Sequence, residues 1–582
     1  MTSVPTQPLR HAIRPAKQGA RRHYGSHPYF TKRSWNVVQE YIKHFSSPGD
    51  TVSDPFGGSG VTAVESLVLG RKAIYADISQ WACFLAKQTA LAPVDLRRLE
   101  QAFREVEDRC KREISEIWST PDRELRRRPV RDWYPKRAPL PDNSDVRFVD
   151  ELFTPRMLHG LARLRTAIME VAQGQTRDLL LFAFSATLAR INRTFLSTAN
   201  RSESRGGAAI FSIYRYKIAK RPVELPLWDQ FARRFERVVQ AKRETNHLIG
   251  DFYQENETAV FRHASATSLL DWLQPESVDY IYTDPPYGGN ISYLDLSTMW
   301  AAWLGFDITI KDRSEEVIEG GQLRKSPEVY QHLLAVSMQQ MYEILKNRGW
   351  MSIVFAHRQT SYWETLVDAC RQAGFQYVNT VVQPVGVVWS MHKKKNPIRV
   401  LSGELVLNFR KVGRVARRRT PPHQRDPTKV VRECCERVIV DNVGATTEDL
   451  HHALIPKLLE TGLLSQFSHE CGDITPLLQR LFEFDEVTAQ WYLPLGKKPV
   501  AHFSDRQLAR YYIVRFLARR DRVGRPPTEL EVSRHVRSRL KNAHAYRKDG
   551  IVEILSEIGY SPDDRHWRLA LGYKQHEFSF ST

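Results

Sequence analysis

Apolar positions along this 582-residue chain alternate between two spacings. In "WNVVQEYIKHF" (35–45) they recur every three to four residues, which predicts a helix. "SSPGD" is turn chemistry, and "TVSDPF" (51–56) predicts a short strand that "GGSG" (57–60) breaks. "VTAVESLVLG" reads as a helix closing at Gly70, "KAIYADIS" as a second buried strand reaching Asp77, and "WACFLAKQTALA" as a second helix. Strand, helix, strand, helix is the signature of a parallel, doubly wound sheet.

Residues 93–257 interrupt the alternation: they are charged and mostly helical, with an irregular patch at 119–145. Strand signals resume at "AVFRHAS" (259–265) and "VDYIYTD" (278–284). A long helix over 328–349, "WMSIVFAH" (350–357) and a helix over 363–375 follow. The last runs, 376–384 and 399–411, can pair as an antiparallel edge. The expected fold is therefore α/β, a Rossmann-like sheet of seven strands with one reversed. It carries a long helical insertion and a helical C-terminal domain. The expected segments are a basic, mobile N-terminal arm (1–26), a first core part (27–92), the insertion (93–257) and a second core part (259–412). A Pro- and Arg-rich linker (413–430) and the C-terminal domain (431–582) complete them. In such sheets the ligand crevice lies beyond the strand C-termini, where strand order reverses. Asp54, Asp77 and Asp284 end three of the strands.

Composition changes the picture in one respect. Lys+Arg less Asp+Glu is 85 − 66 = +19, an excess that favours a polyanionic partner, nucleic acid first. The six cysteines form no C-x-x-C pair, which fits a reducing cytoplasm and no metal site. The N-terminus lacks an apolar signal core and no run of eighteen apolar residues occurs, so no membrane association is expected.

Two corners carry the candidate chemistry. "DPFGGSG" (54–60) is a glycine turn between strand and helix, where backbone amides can face an anionic group. It lacks the "GK[ST]" of a triphosphate loop, and alone it is equally a structural turn. With Asp77 ending the next strand it suits a nucleoside, because a carboxylate there accepts both ribose hydroxyls. "DPPY" (284–287) is more specific. Two prolines cannot continue a sheet ladder, so the strand stops at a carboxylate, two rigid residues and a ring. The amino group of a base is a poor nucleophile because its lone pair is delocalised. Asp284 and a rigid proline carbonyl can accept its two N–H bonds and aim that lone pair, while Tyr287 offers a stacking face.

These motifs together resemble the amino-group DNA methyltransferases that use S-adenosylmethionine. The likeness covers about residues 27–92 and 259–411. With "LFTPRMLHGLARLRTAI" and "DLSTMWAAWLG", the chain looks similar to large bacterial methylases encoded near restriction or phage-defence genes. The resemblance implies that Asp54, Pro55, Phe56, Gly57, Gly58 and Gly60 form the cofactor loop, with Asp77 on the ribose and His27, Pro28 and Thr31 at the methionine end. Asp284, Pro285, Pro286 and Tyr287 would hold a target base flipped from double-stranded DNA. Residues 93–257 would recognise the target sequence. The family often has an acid after its third strand, near the cofactor adenine; here Ser265 or Thr267 stands in that region. An aspartate before P-P-Y points to adenine N6 rather than cytosine N4. Cytosine C5 chemistry needs a cysteine nucleophile, usually after proline, and no Pro-Cys occurs.

Three basic stretches remain open between gripping phosphate and serving as solvated loops: "RELRRRPVRDWYPKR" (123–137), the arginines 193, 201, 205 and 215, and "MHKKKNP" (391–397). His357 reads as structural or cleft-lining. An RNA guanine-N2 methyltransferase and a non-catalytic DNA-recognition subunit of a restriction or defence assembly are the competing functions.

Overall fold

The computed structural model describes residues 7–194, 210–219, 223–289, 291–384, 403–412, 426–494, 496–540, 548–563 and 565–570. The chain divides into two compact units. The first comprises Met1–Ala356, Thr365–Ser390 and Glu404–Ala416; the second comprises His357–Glu364, Met391–Gly403 and Arg417–Thr582.

The first unit is built on strands β1 (Thr51–Asp54), β2 (Lys72–Asp77), β3 (Ala259–His263), β4 (Val278–Thr283), β5 (Leu345–Phe355), β6 (Phe375–Gln383) and β7 (Glu404–Lys411). Their order across the sheet is β3-β2-β1-β4-β5-β7-β6. Neighbours from β3 to β5 run parallel, and β7 is antiparallel to both β5 and β6. This is the seven-stranded sheet with one reversed strand that the alternation implies. From β1 the chain proceeds outward to β2 and β3; from β4 it proceeds the other way to β5. Strand order therefore reverses between β1 and β4, where Val52 opposes Tyr280 and Ser53 opposes Ile281. A crevice opens at the C-terminal ends of such a pair.

Helix α1 (Trp35–Phe45) lays Val38, Tyr41, Ile42 and Phe45 on the sheet, and the Phe45 ring stacks on Tyr280 with centroids 5.1 Å apart. Each such side chain contributes roughly 1.5–3 kcal/mol by leaving water. Helices α2 (Val61–Val68) and α3 (Gln80–Ala90) follow β1 and β2. The insertion supplies Leu96–Ser119, Pro155–Val171, Gly174–Leu188 and Leu227–Leu248. It does not form a separate body. Leu161, Phe182, Phe184 and Phe231 share one hydrophobic core with Tyr75, Trp81 and Trp300. Lys242, fully buried, donates to the carbonyls of Thr89 (2.9 Å) and Leu91 (2.8 Å), groups that the end of α3 leaves without helical partners.

The basic N-terminal stretch, expected to be mobile, is anchored from residue 7 onward. Leu9 and Tyr24 are buried in the core. Asn379 donates to the Leu9 carbonyl (2.8 Å), Ile13 donates its N–H to Gln383 (3.1 Å), and His23 donates its N–H to Glu244 (3.0 Å). Apolar plugs and paired backbone groups outweigh the charge that suggested a free arm.

The second unit is mainly helical. Asp505–Arg522, Glu529–Arg537 and Lys548–Ile558 enclose a core of Ile513, Leu517, Val532, Val536, Ile551, Ile554 and Leu555. The basic helix Glu529–Arg537 is started by a capping box. Thr528 donates its N–H to the Glu531 carboxylate (2.8 Å) and accepts the Glu531 N–H on its hydroxyl (3.4 Å). Among the described residues no helix is long and apolar enough to cross a membrane.

Candidate active site

β1 ends at Asp54, and the chain turns through residues 55–60 into α2. Two glycines make that turn possible. A Cβ on Gly57 would lie 2.2 Å from the Tyr75 ring. Gly60 has φ +79°, and a Cβ there would lie 2.6 Å from that of Ala86, so its bareness lets α2 close on α3. The turn is then tied to β2. Gly58 donates its N–H to Asp77 Oδ2 and Ser79 its N–H to Oδ1, both at 2.8 Å, while the Tyr75 hydroxyl donates to the Gly58 carbonyl (2.8 Å).

A pocket opens over this turn, continuous with solvent. The structure brings Asp54, Asp77 and Asp284 to its wall, with Thr31, Pro55, Phe56, Gly57, Gly58, Ser265 and Pro286. Burial pushes Asp54 up to about 7, against hydrogen bonds from Thr62, Thr283 and the Phe56 amide. Burial likewise raises Asp77 to about 6, against the Ser79 and Gly58 amides.

His27, Pro28, Gly60, Pro285 and Tyr287 do not line the pocket. His27 is buried, with its ring 5.3 Å from Phe182 and 5.8 Å from Trp81. Its Nδ1 donates to the Pro28 carbonyl (2.7 Å) and its Nε2 accepts from the Ser185 hydroxyl (2.9 Å), which in turn accepts from Trp81 Nε1 (3.2 Å). Desolvation lowers its pKa to about 3, so the ring stays neutral. Here it is a core residue pinning the insertion to the chain before α1.

After β4 the proline pair sets Asp284 at the crevice. Tyr287 donates its hydroxyl to Asp284 Oδ1 (2.6 Å) and meets Phe355 edge-on, with centroids 4.9 Å apart. Tyr330 donates to the Pro286 carbonyl (2.9 Å). Arg33 donates through Nε to Asp284 Oδ2 (2.7 Å); its other nitrogens pair with Asp284, Tyr287 and Glu404. Burial raises the Asp284 pKa, with the Arg33 charge opposing. Burial alone would lower Arg33, but Asp284 and Glu404 prevail and keep it charged.

Sequence reasoning missed Arg33 and Glu404, which meet only through the fold. It also missed Glu315 and Glu316, which enter the wall beside Ser265, whose hydroxyl donates to the Glu315 carbonyl (3.2 Å). Glu316 is 5% exposed, and burial pushes it up to about 7. Glu316 thus brings a carboxyl to the same wall as Ser265, with its Oε1 accepting the Leu294 N–H (3.1 Å).

Of the basic stretches, Trp133 is 46% exposed with the Arg165 guanidinium 3.8 Å over its ring, whereas Tyr134 packs on the core. Arg193 donates to the Glu151 carbonyl (2.9 Å) and Arg215 pairs with Asp145. Arg201, Arg205, Lys393, Lys394 and Lys395 lie outside the described residues. His357 accepts the Gln359 N–H on Nδ1 (3.1 Å), and its ring lies tilted against that of Tyr362 with centroids 3.8 Å apart. Among the described residues no cluster of His, Cys, Asp or Glu could hold a metal ion.

Residues 11–88, which span α1, β1, the glycine turn, β2 and most of α3, match the N6_N4_Mtase family model, described as DNA methylase. Over 318 residues the chain is 22% identical to the type II methyltransferase M.MvaI of Kocuria varians, covering 51% of this chain and 61% of that protein. It is 30% identical over 95 residues to the type II methyltransferase M.MjaII of Methanocaldococcus jannaschii, covering 16% and 18%. The aligned part thus spans less than two thirds of either relative. A solved structure from Thermus thermophilus, provisionally assigned as a DNA modification methylase, aligns over 28% of this chain and 56% of its own, at 18% identity and a TM-score of 0.16.

Proposed function

We propose that this chain is a DNA methyltransferase that moves a methyl group from S-adenosylmethionine to the exocyclic N6 of an adenine flipped out of double-stranded DNA, in a restriction-modification or phage-defence setting. One observation carries this reading: Asp54, Asp77 and Asp284, from three separate strand ends, share one pocket wall. The residues present fit the cofactor. Asp77 keeps lone pairs beyond its two amide bonds, enough to accept from ribose hydroxyls. Asp54 and the first residues of α2 suit the zwitterionic methionine end, and Thr31 lies on the same wall. Glu316, on the same wall as Ser265, keeps acceptor capacity beyond the Leu294 N–H and would accept from an adenine amino group. Phe56, Ile78 and Val317 offer apolar faces.

When bound, the cofactor supplies a methyl group on a sulfonium, an electrophile that needs no metal and no covalent enzyme adduct. Asp284 and the Pro285 carbonyl accept the two N–H bonds of the target amine and orient its lone pair, a gain realised in the transition state. The Pro286 carbonyl accepts from Tyr330, which fixes the corner from behind. Tyr287 holds the Asp284 carboxylate through its hydroxyl while its ring borders the base. After transfer the amine is cationic and sheds its proton readily, so no strong base is required.

Cytosine N4 is the second reading, because the matched family model spans both amines. The decisive experiment incubates the protein with methyl-tritiated S-adenosylmethionine and either DNA or structured RNA, then digests the product to nucleosides. Label in N6-methyladenine is the expected result, and label in N4-methylcytosine moves the assignment to cytosine. Label only in RNA selects the guanine-N2 reading, and none at all leaves the DNA-recognition subunit.

A further inference from the structure

Arg33 is the one cation among the described residues lining the pocket. It stands against Asp284 with a 2.7 Å bond from Nε, and Glu404 holds the far side of the same guanidinium. A guanidinium only donates and a carboxylate only accepts, so the two side by side form an acceptor–donor pair. Adenine and cytosine share an amidine edge that is its complement: an amino N–H beside a bare ring nitrogen, N1 in adenine and N3 in cytosine. Guanine and thymine place a carbonyl beside a ring N–H there, and that carbonyl would face the Asp284 carboxylate.

Resting on the methyltransferase reading above, we propose that Arg33 is a specificity-determining residue. It donates to the ring nitrogen next to the amine that Asp284 accepts, so that the two together read an amidine edge. The self-paired Arg33–Asp284 contact is then the arrangement that the base edge separates, each partner exchanging the other for half of the edge. Glu404 keeps the guanidinium at the wall during that exchange, and Tyr287 steadies the carboxylate. Each group gives up a charge–charge contact for a charge-assisted hydrogen bond to a neutral base; that cost is offset by the base edge and limited by Glu404, which stays paired with the guanidinium.

The test is a chemical double-mutant cycle on the full chain. The wild-type protein is first used to map the methylated position in DNA. Duplexes then carry at that position either the natural base or its analogue without the ring nitrogen, 1-deazaadenine or 3-deazacytosine. The analogue is expected to lower wild-type kcat/KM roughly 10- to 100-fold, the effect of one hydrogen bond to a charged group. R33A, slower on the natural base, is expected to lose less than about threefold more on the analogue, because the contact is already gone. An equal penalty in both proteins overturns the proposal. If R33A does not bind cofactor, R33M, which keeps the length of the side chain and has no N–H donor, enters the same comparison; a shrunken penalty supports the proposal and an unchanged one overturns it. A purely structural role for Arg33 would slow both substrates alike. Absence of transfer by the wild-type protein to any DNA overturns the function above and this inference with it, whereas an active enzyme with equal penalties overturns this inference alone.

Discussion

Thr283 donates its hydroxyl to Asp54 Oδ1 at 2.8 Å, joining the last residue of β4 to the last residue of β1 across 229 positions of sequence. Asp284 is the next residue, so this one bond sets the D-P-P-Y corner in register with the glycine turn. Thr283 is fully buried. Thr283→Val keeps the shape and leaves an acceptor short of a partner. Unfolding by urea should show a loss of about 1–3 kcal/mol, accompanied by slower methyl transfer at saturating cofactor. Full stability with full activity would show that the bond does not set the register.

Asp284→Asn keeps the volume but cannot accept through both side-chain atoms. Transfer should fall roughly 10²- to 10³-fold, as when one oriented polar group is removed from a transition state. Calorimetric cofactor affinity should stay within a few-fold of wild type. Retained turnover would remove Asp284 from the chemistry.

The raised carboxylates give cofactor binding a pH signature. An ionised Asp77 accepts hydroxyls better than a protonated one, and its pKa is pushed up to about 6. Affinity should fall as pH drops through that value, a dependence that Asp77→Asn would remove. The free protein has the opposite sign. These acids have folded pKa values of about 6 (Asp77) and about 7 (Asp54), above the ordinary carboxylate value, so the native state holds the extra protons. Their contribution is neutral below about pH 4, and stability declines as pH rises through both values. Thermal melts across this range, with and without S-adenosylmethionine, read both signs.

Gly60→Ala forces a side chain into a left-handed backbone position and against Ala86. A destabilisation of about 1–3 kcal/mol is expected, with weaker cofactor binding because α2 is displaced. The pairing of Gly60→Ala with Ala86→Gly should recover part of the packing loss but not the backbone strain, which a double-mutant melt separates.

The sequence pattern made much of this site legible, for a local reason. Asp54, Asp77 and Asp284 each follow an apolar run and precede a glycine or proline break or a helix start, so their place at strand ends needs no tertiary information. Arg33 and Glu404 carry no such mark. Their meeting requires nearly the whole sheet to form between them, with β7 inserted between β5 and β6. Glu316 was invisible for the same reason, since it stands beside Ser265 only because a loop crosses the end of β3. His27, given to the methionine end by resemblance, stands off the pocket wall, and the sequence does not say which way its ring turns. Ser185, supplied by the insertion, decides that. The N-terminal stretch is anchored by two apolar residues, Leu9 and Tyr24, whose burial its net charge does not reveal.

The shared core of sheet and insertion bears on engineering. Trp81 stacks on Trp300 at 4.9 Å, and Ser185 bonds both His27 and Trp81. Transplanting residues 93–257 from a cousin would therefore replace Ser185 and the apolar side chains that share a core with Trp81 and Trp300. A chimera built to acquire a new target sequence should first fail at solubility, and swaps confined to solvent-facing turns should outperform wholesale exchange.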